Sequence, residues 1–225
     1  MASFEQHLIV TKVVIGITLV PISASGLLGL EESFIALCIG VIGGLLPDSD
    51  SSSSTPIQIL FKLVSIFFPL AVLILLADNI PLLYMLGIWL ASSIVLSYLV
   101  FGIFFKMVVH RGVVHTIPMG VLTGQLTMAL SYYIFDLSIT ESTIFGYFMI
   151  FGFLLHLILD EIASLNLLGA KFKKSLGTAL KLYDSRNKIG TLSIYCFISI
   201  LFYFMPLDFD IFLKIIHALG NMTLI

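Results

Sequence analysis

The stretch IFGYFMIFGFLLHLILDEIA, residues 144–163, decides the fold. It is apolar almost throughout and is about as long as a helix that crosses the hydrocarbon core of a bilayer. Its His156 and Asp160 are four positions apart, so a helix turns both side chains to one face, about 40° apart. An ionisable side chain inside a membrane helix costs about 2.5–3.5 kcal/mol, and for that reason it indicates a functional site.

The whole chain shares this apolar character. Of its 225 residues 59% are hydrophobic and 11% charged, and its mean hydropathy is +1.13. A soluble domain could not bury so much apolar surface. The composition therefore predicts an all-α, polytopic membrane bundle that forms a single domain over residues 1–225. Seven apolar runs are candidate spans, with approximate bounds 8–30, 33–47, 57–77, 81–105, 113–137, 143–166 and 190–206.

The last segment has a different pattern. In DFDIFLKIIHALGNM, residues 208–222, apolar residues recur at helical spacing, but Asp208, Asp210 and Lys214 interrupt them. This pattern favours an amphipathic helix that lies on the membrane or packs on the bundle, rather than an eighth span.

Alternation of the seven spans sorts the charges between the two sides of the membrane. Every lysine and arginine except Lys214 falls at or near the side from which the first span starts, whereas the opposite loops carry Glu31, Glu32, Asp78 and Glu141. Positive charge marks the cytoplasmic side of membrane proteins. We therefore expect a multi-pass protein whose N-terminus faces the cytoplasm.

The candidate metal ligands also lie at this cytoplasmic side. They come from four separate stretches: His7, Asp48, Asp50, His110, His115, His156 and Asp160. The segment after Pro47 is expected to be extended, which would turn Asp48 and Asp50 to one side. A bend at Gly112 would let His110 and His115 both turn inward.

Imidazole and carboxylate ligands together suit zinc, with manganese or iron as alternatives. Seven donors exceed one tetrahedral site, so the preferred interpretation is a pair of ions. Two adjacent ions suit hydrolysis of a phosphate ester. Asp50 would then act as the base, and the guanidinium of Arg111 would hold a phosphate oxygen. A site at membrane depth favours a lipid or lipid-linked substrate over nucleic acid, which needs a larger basic groove.

Other interpretations stay open. His7 alone fits an interfacial histidine, Asp48 and Asp50 alone fit a polar loop, and His156 with Asp160 fits a buried hydrogen-bonded pair. A cation- or proton-coupled transporter would use the same residue types, and a non-enzymatic membrane regulator or partner subunit would not need them. Substrate, metal identity and number, and oligomeric state are not determined by the sequence.

The same residues carry a family resemblance. GLLPDSD at 44–50, HRGVVHT at 110–116 and HLILD at 156–160, with His7 in the first apolar run, resemble the inner-membrane metal-dependent hydrolases described as LexA-regulated or LexA-binding. That family is grouped with zinc-dependent phospholipase C and single-strand nucleases. The resemblance, which spans about residues 5–190, implies a bacterial inner-membrane protein with a zinc cluster that acts on phosphodiesters. A histidine often follows the second aspartate in the family, but here the residue is Ser51, which leaves the number of metal ions open.

Overall fold

The computed structural model describes residues 3–50, 65–66, 69–70, 73, 81–100, 113–166, 171–172, 180–205 and 210–221. The fold is mainly helical, as predicted. Its α-helices are α1 Phe4–Ala24, α2 Leu30–Leu45, α3 Leu82–Ile94, α4 Ile117–Tyr133, α5 Ile139–Ser164, α6 Lys188–Phe204 and α7 Asp210–Asn221. A 3-10 turn spans Pro47–Asp50, and a π-helical turn at Val95–Val100 follows α3.

The predicted all-α class is confirmed: besides the helices there is only, among the described residues, a pair of two-residue antiparallel strands, β1 Leu165–Asn166 and β2 Lys171–Phe172. One detail of the predicted secondary structure was wrong. The segment Pro47–Asp50 is a 3-10 turn, not an extended segment. Proline fixes only φ, at a value that also suits the first turn of a helix. Successive residues of a 3-10 turn are about 120° apart, so Asp48 and Asp50 do not share a side by strand alternation.

Helix α1 has one buried face and one exposed, apolar face. A capping box between Ser3 and Gln6 fixes its first turn. Its buried residues recur at helical spacing: His7, Thr11, Ile15, Leu19 and Ile22. Between them Ile9, Val13, Ile17 and Val20 are exposed. An apolar exposed face of this kind suits contact with lipid.

Helix α5 is the centre of the bundle and packs against α1, α2 and α4. Its contact with α2 depends on glycine. A Cβ built on Gly152 would overlap the carbonyl oxygen of Gly40, and one built on Gly43 would overlap the carbonyl oxygen of Met149. Small residues of this kind let the backbones of membrane helices approach closely. The backbones of α2 and α5 are therefore in direct contact where the helices cross.

The segment before α6 is attached to the start of α4. Lys181 forms an isolated parallel bridge with Thr116 and accepts a 2.9 Å hydrogen bond from the amide of Ile117. At the opposite end of α4, the hydroxyl of Tyr133 donates to the carbonyl of Phe204 on α6. These contacts join α4 and α6 at both ends.

Two of the described helices, Phe4–Ala24 and Ile139–Ser164, are long and apolar enough to cross a membrane, and Leu82–Tyr98 and Lys188–Phe204 are shorter apolar helices. These bounds differ by a few residues from the predicted runs. The total of seven spans stays a prediction, because most of the third run and the end of the fourth lie outside the described residues.

The chain divides into two compact units, Met1–Asp48 with Gly112–Ile225, and Ser49–Arg111. The prediction of a single domain is not tested by this division. In the first unit the predicted C-terminal helix is present as α7, and Ile211 and Ala218 are its buried residues. In the second unit Trp89 Nε1 donates to the carbonyl of Ile66 at 2.9 Å.

Candidate metal centre

Five of the predicted site residues meet at one end of the first unit. His7 comes from the first turns of α1, Asp48 from the 3-10 turn after α2, His115 from the segment before α4, and His156 and Asp160 from α5. His7 and His156 are 0% exposed and Asp160 is 6% exposed, whereas the side chain of Asp48 is 28% exposed. Asp48 and His115 are half-buried and lie at the more exposed side of the group, whereas His7, His156 and Asp160 lie inside the bundle.

The first group of donors is His7, His156 and Asp160, whose ligand atoms lie within 4.8 Å of one another. His7 Nε2 lies 3.3 Å from Asp160 Oδ1, and His156 Nε2 lies 3.7 Å from Asp160 Oδ2. The two imidazole rings are stacked with centroids 3.8 Å apart and planes 11° apart. The helical spacing of His156 and Asp160 thus brings both side chains to one point, and α1 supplies the third donor.

A backbone hydrogen bond fixes the tautomer of His156. Its Nδ1 lies 2.8 Å from the carbonyl oxygen of Gly44 on α2. A carbonyl only accepts, so Nδ1 carries the hydrogen and Nε2 keeps its lone pair. A metal-binding histidine commonly uses its second nitrogen in this way, which orients the ring. His156 is therefore held with its ligand nitrogen towards His7 and Asp160.

Asp48, His115 and His156 form a second, overlapping group. Asp48 Oδ1 lies 3.6 Å from His156 Nε2, and the His115 and His156 rings have centroids 5.8 Å apart. Both groups use the same nitrogen of His156, because Gly44 occupies the other, and one nitrogen binds one ion. The described donors therefore suit one ion surrounded by five residues. A second ion would need His110 or Asp50.

The distances between donors suit an ion placed among them. Ligands bound to zinc at about 2.0–2.2 Å in a tetrahedron are roughly 3.3–3.6 Å apart. The three nitrogen–oxygen distances are 3.3, 3.6 and 3.7 Å, longer than the usual 2.7–3.2 Å of a direct hydrogen bond. Neither ring nitrogen of His7, nor Nε2 of His156, makes a hydrogen bond with a residue that the structure describes. The donor set thus fits zinc or a similar divalent cation.

Burial raises the pKa of the Asp48 carboxyl above its ordinary value, and the neighbouring Asp160 raises it further, while His7 opposes both. Its carboxylate would gain from a cation. Because this pKa is raised, a metal ion would compete with a proton for the Asp48 carboxylate up to a higher pH than at an ordinary exposed aspartate.

Three predicted site residues are not placed by the structure. Asp50 lies in the described 3-10 turn, but its side chain is outside the described part of the chain. His110 and Arg111 lie outside the described residues altogether. Their roles as ligand, base and phosphate clamp stay predictions.

Two neighbours of the site were missed by sequence reasoning. Thr11 follows His7 by one helical turn and is fully buried, and the carbonyl of Gly44 holds His156. Thr11 could have been predicted from the sequence, because it is a polar residue one helical turn after His7 in an apolar run. The role of Gly44 depends on a tertiary contact that no local pattern shows.

Comparison with known proteins gives one family. The model of the YdjM inner membrane protein family matches residues 8–205, a range that starts one residue after His7 and contains the other four clustered residues. Searches of the curated proteins and of the solved structures found no match. The family match confirms the inner-membrane part of the resemblance, and the hydrolase part stays a prediction. Because the match covers well over half of its length, the chain belongs to the YdjM inner membrane protein family.

Proposed function

We propose that this protein is a metal-dependent hydrolase of a phosphate ester in a lipid or lipid-linked substrate, with its active site at the cytoplasmic ends of the helices. The observation that carries the proposal is the group of His7, His156 and Asp160, in which two imidazoles and a carboxylate from two helices are sealed inside an apolar bundle. The two ring nitrogens of His7 and Nε2 of His156 make no hydrogen bond with a described residue, and buried polar atoms of this kind are costly in such a place. A bound cation would offset that cost.

In this proposal His7, His156 and Asp160 hold the ion from inside the bundle, and Asp48 and His115 complete its surroundings from the more exposed side. A divalent cation at this position would supply Lewis acidity for attack on a phosphate ester. Asp50 would accept the proton of the attacking water, and Arg111 would hold a phosphate oxygen. His110 and Asp50, the remaining predicted ligands, would hold a second ion.

The membrane setting of the helices supports the substrate class. The faces of α1 and α5 that are turned away from His7 and Asp160 are apolar and exposed, with Ile9 and Val13 on α1 and Ile158 and Ile162 on α5. These faces suit contact with lipid, while the site itself suits a charged head group. A phosphate ester on a lipid would satisfy both.

The distribution of buried ionisable groups favours this proposal over a transporter. Among the described residues the buried ionisable side chains are His7, His156, Asp160 and Asp184, and the last is in the loop just before α6, at the same side of the bundle. Buried polar residues deeper in α4 are uncharged and donate to backbone: Thr123 Oγ1 to the carbonyl of Gly120 and Gln125 Nε2 to the carbonyl of Ile198. A cation path across the described bundle would need further ligands beyond the site.

Metal content of the purified protein tests the proposal. We expect divalent metal in wild type, most of it lost in His156→Ala and Asp160→Asn, and none lost in His217→Ala, which removes an exposed histidine of α7. Phosphate release from phospholipids and lipid phosphates should then depend on that metal. Normal metal content in both site variants, or no metal-dependent release from any of these esters, would refute the proposal.

A further inference from the structure

Thr11 has an unusual environment for a helical hydroxyl. It is 0% exposed, one turn beyond His7 on the buried face of α1, and its Oγ1 makes no hydrogen bond with any residue that the structure describes. A buried hydroxyl without a partner is unfavourable, because it has lost its hydrogen bonds with water and gained none in return. Its place therefore needs an explanation other than packing.

Other threonine hydroxyls of the described helices bond to their own backbone, although the hydroxyls of Ser93 and Ser142 are, like that of Thr11, buried without a partner among the described residues. Thr18 donates to the carbonyl of Val14 on the same helix at 2.7 Å, and Thr127 donates to Thr123 at 2.9 Å. This bond to the residue four positions earlier is the usual one for threonine in a membrane helix. Thr11 would reach His7 in this way, but it does not make that bond.

The Thr11 side chain packs on α2 instead, beside the residue that holds His156. A Cβ built on Gly44 would lie 2.5 Å from Thr11 Oγ1, and the carbonyl of Gly44 accepts the hydrogen bond from His156 Nδ1. The next buried residue of α1 beyond Thr11 is Ile15. Thr11 is thus the last polar group of the site before the apolar interior begins.

We infer that Thr11 lies at the innermost end of the substrate site and donates a hydrogen bond to an oxygen of the bound phosphate group. This inference rests on the proposed function, because it requires an anion next to the cation held by His7 and His156. A hydroxyl suits the role, since it donates to an anionic oxygen without adding a charge at membrane depth. Thr11 acts on the substrate directly and is not a ligand of the metal.

The test uses the full-length, metal-loaded protein in detergent and orthophosphate as the probe. Metal content and phosphate affinity are measured by elemental analysis and calorimetry for wild type, Thr11→Val, Thr11→Ala and Thr11→Ser. Thr18→Val is the matched control, because it removes a threonine hydroxyl of the same helix that is bonded to its own backbone.

We expect Thr11→Val and Thr11→Ala to keep the metal and bind phosphate roughly tenfold to a hundredfold more weakly, the usual effect of losing a hydrogen bond to a charged group. Thr11→Ser should restore the affinity, and Thr18→Val should equal wild type. Unchanged phosphate affinity in Thr11→Val and Thr11→Ala, or weak binding in Thr11→Ser, would overturn the role of Thr11 and leave the metal site standing. Loss of metal from Thr11→Val would make Thr11 a structural support of the site. A wild type that binds no metal would overturn the proposed function as well.

Discussion

Replacing Gly152 by alanine should damage the fold and the site together. A Cβ at this position would overlap the carbonyl oxygen of Gly40 and would lie 2.9 Å from the amide nitrogen of Gly44, whereas ordinary contacts begin at 3.4 Å. Helices α2 and α5 would have to separate by at least 0.5 Å to relieve the second contact, and by more to relieve the first. All these atoms belong to backbone, so no side-chain rotation can absorb the change.

The same separation acts on the site, because Gly44 also holds His156. The hydrogen bond between His156 Nδ1 and the carbonyl of Gly44 is 2.8 Å long. A separation of about 0.5 Å or more would lengthen it past the usual limit of 3.2 Å. Overpacking of a core typically costs about 1–3 kcal/mol. For a chain of this size each kcal/mol lowers the melting temperature by roughly 2–4 °C. Losing the bond that orients a metal ligand typically weakens metal binding about 10–100-fold.

Thermal melting in detergent followed by circular dichroism, together with metal titration of each variant, measures both effects. Gly16→Ala is the matched control: it lies on α1, and a Cβ there would meet nothing within 4 Å. We expect Gly16→Ala to melt and bind metal like wild type. If Gly152→Ala also does so, α2 and α5 do not cross as described, and the account of how His156 is oriented is wrong.

Three further predictions concern catalysis, topology and charge. Arg111→Lys should keep the metal and lose about a hundredfold to a thousandfold in turnover of a lipid phosphate, because lysine lacks the two-pronged donor; wild-type turnover would make this arginine a membrane anchor. In a background without native cysteines, a cysteine at Ser52 should react with an impermeant reagent only from the cytoplasmic side and one at Asn79 only from the other, and labelling of both from one side would show that the spans were miscounted. Asp48→Asn should raise the melting temperature of the metal-free protein at pH 7, because its raised pKa means that the ionised carboxyl weakens the fold. This gain should disappear as the pH falls below the ordinary value of 3.8, and with zinc bound the substitution should lower the melting temperature; a lower melting temperature without metal would contradict the assigned environment.

The features predicted correctly were those that depend on local periodicity. The spacing of His156 and Asp160 fixes their common face on any helix, and the hydropathy pattern places the start of α1 at the same end as Asp160. The structure accordingly brings His7 and Asp160 to 3.3 Å. Their function as metal ligands remains to be measured.

Features that depend on tertiary contacts were not predictable from the sequence. The segment at Asp48 was expected to be extended, but it is a 3-10 turn. The sequence did not decide between the two, because the φ of Pro47 suits both an extended chain and a helical turn. Thr11 packs on Gly44 of α2, and this tertiary contact decides which hydroxyl of α1 makes no hydrogen bond with its own helix. The number of spans also stays open, because the residues that would decide it, 51–64 and 101–112 among them, lie outside the described residues.

The pairing of His7 with Asp160 also has a consequence for biosynthesis. His7 is made 149 residues before His156, which is roughly 7–30 s at a translation rate of about 5–20 residues per second. Throughout that interval the nascent α1 carries the imidazole of His7, whose neighbours His156 and Asp160 on α5 have not yet been made. The insertion machinery must therefore shelter this helix from lipid until the late segment arrives, and a ribosome stalled before residue 156 would leave a half-built product for membrane proteases to recognise.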